Sequence, residues 1–279
     1  MSGPEVFLRG LADRRFGAVA RYEFKYLVDD RLVPEIRRMV RVFAPHDTYS
    51  ARAPEQRYEV CSLYLDTDDL RLFRQTLHGE KNRFKLRLRT YSDEPDSPVF
   101  LELKRRADRA ILKKRVRLDR TQAELLVSLG PNGWSAALTP EVRREFEMLA
   151  GHITLAGARP VIRVRYRREA FECPESDRVR LTLDTALEHS LTLDCDVRHQ
   201  AGEWEATPLR GTIFEVKFSN YFPSWVHDLV RRFELQSRSV PKYVLSIEDM
   251  IASDLGSVAL SRGGFRAPAA PEDASWTRP

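Results

Sequence analysis

KNRFKLRLRT, residues 81–90, places Arg83, Lys85, Arg87 and Arg89 at strict two-residue spacing, with Phe84, Leu86 and Leu88 between them. In a β-strand successive side chains point to opposite faces. The segment therefore predicts a strand with one cationic face and one apolar face. Four like charges in a row repel one another unless an anion sits among them. Two readings stand at this point: a solvated basic sheet face, or a surface that holds a polyanion. The other strands choose between them.

The same period recurs along the chain. In RYEFKYLV (21–28), Arg21, Glu23 and Lys25 oppose Tyr22, Phe24 and Tyr26. In VCSLYLDT (60–67), Ser62, Tyr64 and Asp66 oppose Cys61, Leu63 and Leu65. In VFLELKRR (99–106), Glu102, Lys104 and Arg106 oppose Leu101 and Leu103. ILKKRVRL (111–118) sets Lys113, Arg115 and Arg117 against Leu112, Val116 and Leu118, with Lys114 as an exception. RVRLTLDTAL (178–187) sets Arg178, Arg180, Thr182 and Asp184 against Val179, Leu181 and Leu183, and TIFEVKFS (212–219) sets Glu215 and Lys217 against Phe214, Val216 and Phe218. PVIRVRYRRE (160–169) is ambiguous, because Arg163, Arg165 and Arg167 alternate with Ile162, Val164, Tyr166 and Arg168. SLTLDCDV (190–197) is a weaker ninth candidate.

Eight or nine such strands with turn-like joints predict a barrel or a curved antiparallel sheet, an α+β fold that is mainly β. The apolar faces need cover. Helices are expected where Leu32, Ile36, Met39, Val40 and Phe43 form a stripe behind Asp29 or Asp30. Others are expected after a Thr121/Glu124 capping-box pattern, from Thr139-Pro140 to about Leu149, after Pro223-Ser224, and over 241–254. Small barrels fill their interior with apolar side chains. Here the charged faces match one another instead, so the sheet is either open to solvent or closed around a polar tunnel that requires an anionic ligand.

Bulk properties agree. The 279 residues carry 46 basic and 41 acidic side chains, a net charge of only +5, so the placement of charge matters more than its sum. No apolar run approaches the roughly 20 residues of a membrane helix. Three scattered cysteines, Cys61, Cys173 and Cys195, fit a reducing cytoplasm rather than a disulfide framework or a zinc site. The six histidines lack metal-ligand spacing, and Thr67, Asp68 and Asp69 read as a turn or helix cap. Residues 1–19 read as a leader, 20–254 as one domain, and 255–279, rich in Gly, Pro, Ala and Ser, as a disordered tail.

RYEFKYLV, SLYLDTDD, KLRLRTY, VFLELK, LKKRV, VRYRREAF, RLTLD, FEVKF and SRSVPKY, in this order and spacing, resemble the triphosphate tunnel metalloenzyme superfamily and within it the vacuolar transporter chaperone (VTC) domain. The resemblance runs from about Arg21 to Met250. It implies a closed tunnel of eight antiparallel strands with helices outside. It also implies a polymerase that moves the γ-phosphate of ATP onto polyphosphate with a divalent metal, Mn2+ or Mg2+. By the resemblance, Lys25, Arg87, Arg89, Lys104 and Lys113 would grip the phosphates, Tyr166 and Arg168 would contact the terminal ones, and Lys242 would close the site. Glu215 would carry the metal. Glu23, Arg83, Lys85, Glu102, Arg115, Arg180 and Lys217 would line the tunnel.

The pattern departs from the family at Arg21, which stands where the hydrolytic branch has the first glutamate of Glu-x-Glu-x-Lys. Loss of that acid weakens the case for metal-activated water and favours a phosphate acceptor. A triphosphatase acting on inorganic or nucleoside triphosphate and a non-catalytic polyphosphate-binding module remain the alternatives. Nucleic acid is not an expected partner, since the chain has no RNP-type motif. The SPX domain and membrane helices of the eukaryotic subunits have no counterpart, which implies a free-standing microbial form with, at most, a membrane-protein partner.

Overall fold

The alternating segments pair into one antiparallel sheet that curls so that its charged face is concave. The computed structural model describes residues 21–107, 110–129, 140–173, 179–219 and 222–266. The expected leader and residues 267–279 lie outside the described residues. The strands are β1 (Arg21–Val28), β2 (Tyr58–Asp66), β3 (Asn82–Thr90), β4 (Val99–Ala107), β5 (Ala110–Leu118), β6 (Arg159–Glu172), β7 (Arg180–Leu191), the short β8 (Glu205–Ala206) and β9 (Thr212–Ser219). They pair in the order β1-β9-β7-β6-β2-β3-β4-β5, with β8 against β7.

The expected closure is therefore corrected. No ladder joins β5 to β1 among the described residues. Side chains span the cross-section instead: Lys104 on β4 donates to Glu23 on β1 at 3.0 Å. Long cationic side chains crowd the inner face, and their mutual repulsion favours a wider trough over a tight barrel.

The ninth strand candidate also fails. Only Ser190 and Leu191 belong to a strand, the end of β7. Beyond them Thr192 and Asp194 bond to each other in a local turn that competes with the ladder. The pairing of β6 with β7 shifts register between Arg165 and Arg167, where Ala186 of β7 has φ 50°. Such a bulge bends the strand and strengthens its twist.

Eight helices are described: α1 (Val33–Phe43), α2 (Thr48–Arg52), α3 (Arg71–Leu77), α4 (Arg120–Leu129), α5 (Pro140–Ala156), α6 (Ser224–Arg232), α7 (Lys242–Ala252) and α8 (Asp254–Arg262). On the convex face α4 and α5 cover β2–β5 through Leu126, Phe146, Leu149 and Ile153 packed with Leu63, Leu86, Leu88, Leu101 and Leu103. The other half is covered by α1 and α6, where Ile36, Val40, Val226 and Leu229 meet Phe214, Val216 and Leu181. Complete burial of side chains such as Ile36 and Val40 stabilises by about 1.5–3 kcal/mol each. One end of the concave face is plugged by α7, with Tyr243, Val244 and Ile247 packed on Val60, Tyr64, Ile162 and Val164.

Several local expectations shift. The capping box of α4 is Asp119 with Gln122, not Thr121 with Glu124: Asp119 accepts from the Gln122 amide and Gln122 from the Asp119 amide. Helix α5 runs past Leu149 because Ala150 and Ile153 continue its buried stripe. Residues 254–262 are helical rather than irregular. Ser253 caps α8 at the Gly256 amide, and Leu260 and Phe265 are buried against the domain. Gly211 has φ 113°, and a Cβ there would lie 2.4 Å from the Val28 carbonyl oxygen. Only glycine lets β9 start this close to the end of β1.

Candidate functional site

The concave face is a charge lattice built by strand pairing. Lys25 sits opposite Glu215 and Glu23 opposite Lys217 on the β1–β9 ladder, so two acids and two lysines form a checkerboard. Lys25 bonds both Glu23 and Glu215, and Lys217 bonds the other oxygen of Glu215. Two ladders further, Arg168 on β6 holds Asp184 on β7 with two bonds of 2.7 and 2.8 Å. Lys242, the first residue of α7, reaches the same carboxylate at 2.7 Å.

Glu102 on β4 is the second hub. It receives Arg87 at 2.6 Å, Arg115 at 2.8 Å, Lys113 at 3.5 Å and Arg89 at 3.8 Å. Four carboxylates, Glu23, Glu102, Asp184 and Glu215, are thus shared among nine cations: Lys25, Arg87, Arg89, Lys104, Lys113, Arg115, Arg168, Lys217 and Lys242. Lys85, on the same face of β3, has no carboxylate partner among the described residues and is hemmed in by Lys104, Lys25, Arg87 and Arg83.

The acids stay ionised. Burial works against Glu23, and so does Glu215, yet Lys25, Lys104 and Lys217 bring it down to about 2. Burial likewise opposes Asp184, but Arg168 and Lys242 pull it down to about 2. Glu102 and Glu215 are held far below the usual carboxylate range by their cations, against the same burial. Lys85 moves the other way: burial first, then the neighbouring cations, push it down to about 7. The surplus is cationic, and an anion is the charge that would complete it.

Exposure grades the face from mouth to floor. Lys113 and Lys217 are 53% and 40% exposed, whereas Arg168 and Lys242 are 10% exposed and Arg89 is 8% exposed. The floor is aromatic. The Tyr166 ring lies 4.6 Å from the Lys242 ammonium and 5.2 Å from the Arg168 guanidinium, and its hydroxyl accepts from Arg89 at 3.5 Å. Arg89 also donates to Ser62 at 3.1 Å, and Arg87 to the Tyr64 hydroxyl at 3.2 Å.

The candidate residues fall into three groups. Lys25, Arg87, Arg89, Lys104, Lys113, Tyr166, Arg168 and Lys242 line one continuous surface with Glu23, Glu102, Arg115, Lys217 and Glu215. Lys85 and Arg83 lie on the same strand toward the mouth, where Arg83 bonds the Glu80 carbonyl. Arg180, at the start of β7, is drawn aside by Asp47 at 2.7 Å and Tyr58 at 3.3 Å. Arg163 and Arg165 lie on the opposite face, bound to Ser190 and Glu188 and covered by Trp204, with Arg163 buried.

Asp66, on the strand face of Ser62 and Tyr64, does not join the charge lattice. It caps α3 through the Leu72 and Phe73 amides and accepts from the Tyr243 hydroxyl at 2.6 Å. Sequence reasoning passed over Tyr243, which stacks on Tyr64 at 4.6 Å. Its position beside Lys242 was the available signal.

The donor set fits a hard divalent cation in one way only. Glu215 is ionised and buried at the floor, but its oxygens already face Lys25 and Lys217. Among the described residues no group of three or more His, Cys, Asp or Glu side chains is arranged to hold a metal. A cation with one carboxylate, waters and phosphate oxygens suits such a site, as Mg2+-type chemistry allows. The described residues form no protein-only cage.

A family model described as VTC domain matches residues 20–251. Subunit 4 of the vacuolar transporter chaperone complex of Schizosaccharomyces pombe is 24% identical over 262 residues, covering 80% of this chain and 36% of that protein. The chain thus spans little more than a third of that relative's length. Among solved structures, HpAC1 of Hippeastrum, described with a dominant triphosphatase activity, aligns at TM-score 0.42 with 16% identity over 89% of this chain and 98% of that one. PH1819 of Pyrococcus horikoshii aligns at TM-score 0.40 with 16% identity, over 80% and 95% of the two chains.

Proposed function

The chain belongs to the VTC domain family, and on that footing we propose that it is a polyphosphate polymerase that transfers the γ-phosphate of ATP onto a polyphosphate chain lying along its concave face. One observation carries the reading. Nine cations share four buried or half-buried carboxylates, and Lys85 shares none, so the face has an excess positive charge that a polyanion neutralises.

Phosphoryl transfer needs positioning and charge stabilisation more than covalent help. Arg87 and Arg89 bind phosphate oxygens with planar forks, while Lys25, Lys104 and Lys113 act as point charges. Tyr166 and Arg168 steady the terminal phosphates, and Lys242 closes the floor. Glu215 would hold a divalent cation, Mn2+ or Mg2+, which supplies charge neutralisation on the transferring oxygens. The acceptor is the terminal oxygen of the polyphosphate, which bonds to the γ-phosphorus as the bond to the ADP oxygen breaks.

Each carboxylate of the floor is engaged by Arg or Lys, which leaves none placed as a free base for water. This favours transfer over the hydrolysis of a triphosphatase. No helix among the described residues is long and apolar enough to cross a membrane. The reading sets the enzyme in the cytoplasm, with a membrane protein as the candidate receiver of its product.

The test is Arg89→Ala. Loss of one preorganised donor lowers the rate about 10²–10³-fold, and Glu215→Gln is expected to abolish synthesis, with both proteins folded by circular dichroism. Full activity in folded Arg89→Ala protein would sink the assignment. Tight polyphosphate binding without turnover in the wild type would select the binding-module alternative.

A further inference from the structure

We propose that Lys217 is the counter-ion that keeps the metal position shut until phosphate arrives, so that divalent metal binds as a partner of the polyanion and not to the bare protein. The inference rests on the functional reading above and deepens it. Both Glu215 oxygens are taken, one by Lys25 and the other by Lys217. The neighbouring acids offer no substitute: Asp184 is held by Arg168 and Lys242, and Glu23 by Lys25 and Lys104. Five cations surround these three carboxylates, so a free divalent cation approaching Glu215 meets net repulsion.

A triphosphate reverses that balance. Its negative charge draws lysine ammonium groups toward its own oxygens and adds oxygen ligands for the metal. The two lysines are not equivalent. Lys25 is 19% exposed and bonds two acids, whereas Lys217 is 40% exposed and, among the described residues, bonds Glu215 alone. Lys217 is therefore the one free to swing toward the mouth and release a Glu215 oxygen. Coupling of this kind is reciprocal: the metal raises anion affinity by the factor by which the anion raises metal affinity, typically about 5–150-fold.

Mn2+ binding read by water proton relaxation tests this without turnover. Only Mn2+ on the slowly tumbling protein gives strong enhancement, so the small Mn2+–tripolyphosphate chelate does not confuse the reading. The wild type is expected to show little enhancement with Mn2+ alone and strong enhancement once tripolyphosphate is added. Lys217→Met is expected to bind Mn2+ alone at least about 5-fold more tightly than the wild type, and Lys217→Arg to restore the wild-type behaviour. Equal Mn2+ affinity with and without tripolyphosphate overturns the proposal, and that wild-type comparison decides even where Lys217→Met fails to fold. An unchanged Mn2+-alone affinity in folded Lys217→Met overturns it too. Calorimetric titration of tripolyphosphate without and with Mn2+ separates the two levels: binding without metal together with ungated Mn2+ refutes the gate and leaves the functional reading intact, while no binding under either condition refutes both.

Discussion

Glu102→Gln removes the acid that four cations share. The substitution keeps the shape and one carbonyl oxygen but deletes the charge. Glu102 is 2% exposed, Arg87 21% and Arg89 8%, so these two arginines lose a buried partner, whereas Lys113 and Arg115, 53% and 37% exposed, are largely screened by solvent. Breaking a buried pair costs about 3–5 kcal/mol because a charge is left uncompensated. With Arg87 partly solvated, the lower end, about 3 kcal/mol, is the expected loss. For a domain of this size 1 kcal/mol moves Tm by about 2–4 °C, so the apo variant should melt about 6–12 °C below the wild type. Scanning fluorimetry with and without tripolyphosphate reads it. The ligand should raise Tm more in the variant than in the wild type, since the anion supplies the missing negative charge. An unchanged apo Tm would show that Glu102 does not hold these arginines, as would equal stabilisation of the variant by chloride at matched ionic strength.

Lys85, held at about 7 against an ordinary 10.5, makes anion binding pH-dependent. Burial and like charge disfavour its ammonium, so apo stability gains from this group as pH rises from about 7 toward 10.5. A bound polyanion favours the ammonium, so binding takes up a proton and weakens as pH rises above about 7. Calorimetry in buffers of different ionisation heat should show uptake in the wild type and less in Lys85→Met; identical uptake would contradict the assignment. Gly211→Ala forces a side chain into φ 113° and against the Val28 carbonyl. It should cost about 1–3 kcal/mol in denaturant unfolding, and a neutral result would show that the β1–β9 start can relax.

Much of this architecture is legible because strand chemistry has a period of two. KNRFKLRLRT assigns Arg87 and Arg89 to the inner face and Leu86 and Leu88 to the core, and the ladders to β2 and β4 place them so. The roles of single polar residues are less legible. Asp66 shares parity with Ser62 and Tyr64, yet two helix amides and a tyrosine hydroxyl claim it, and those partners lie up to 177 residues away. Asp119 outcompetes Thr121 as a cap because its carboxylate reaches the Gln122 amide at 2.7 Å. The bulge at Ala186 leaves no mark in composition, since alanine seldom adopts positive φ. The open edge between β1 and β5 is illegible for a different reason: closure depends on the balance of repulsion across the whole face, not on any one strand. The helix at 254–262 hides in a Gly/Ser-rich stretch because its anchors, Leu260 and Phe265, are only two residues.

The proposed reaction hands phosphate bound on the concave face to another phosphate. ATP labelled at the γ-position, incubated with the protein and Mn2+ and resolved by chain length on a gel, tests it most directly. Label in long chains, with one ADP formed per phosphate added, is the expected result. Label in orthophosphate alone would contradict it.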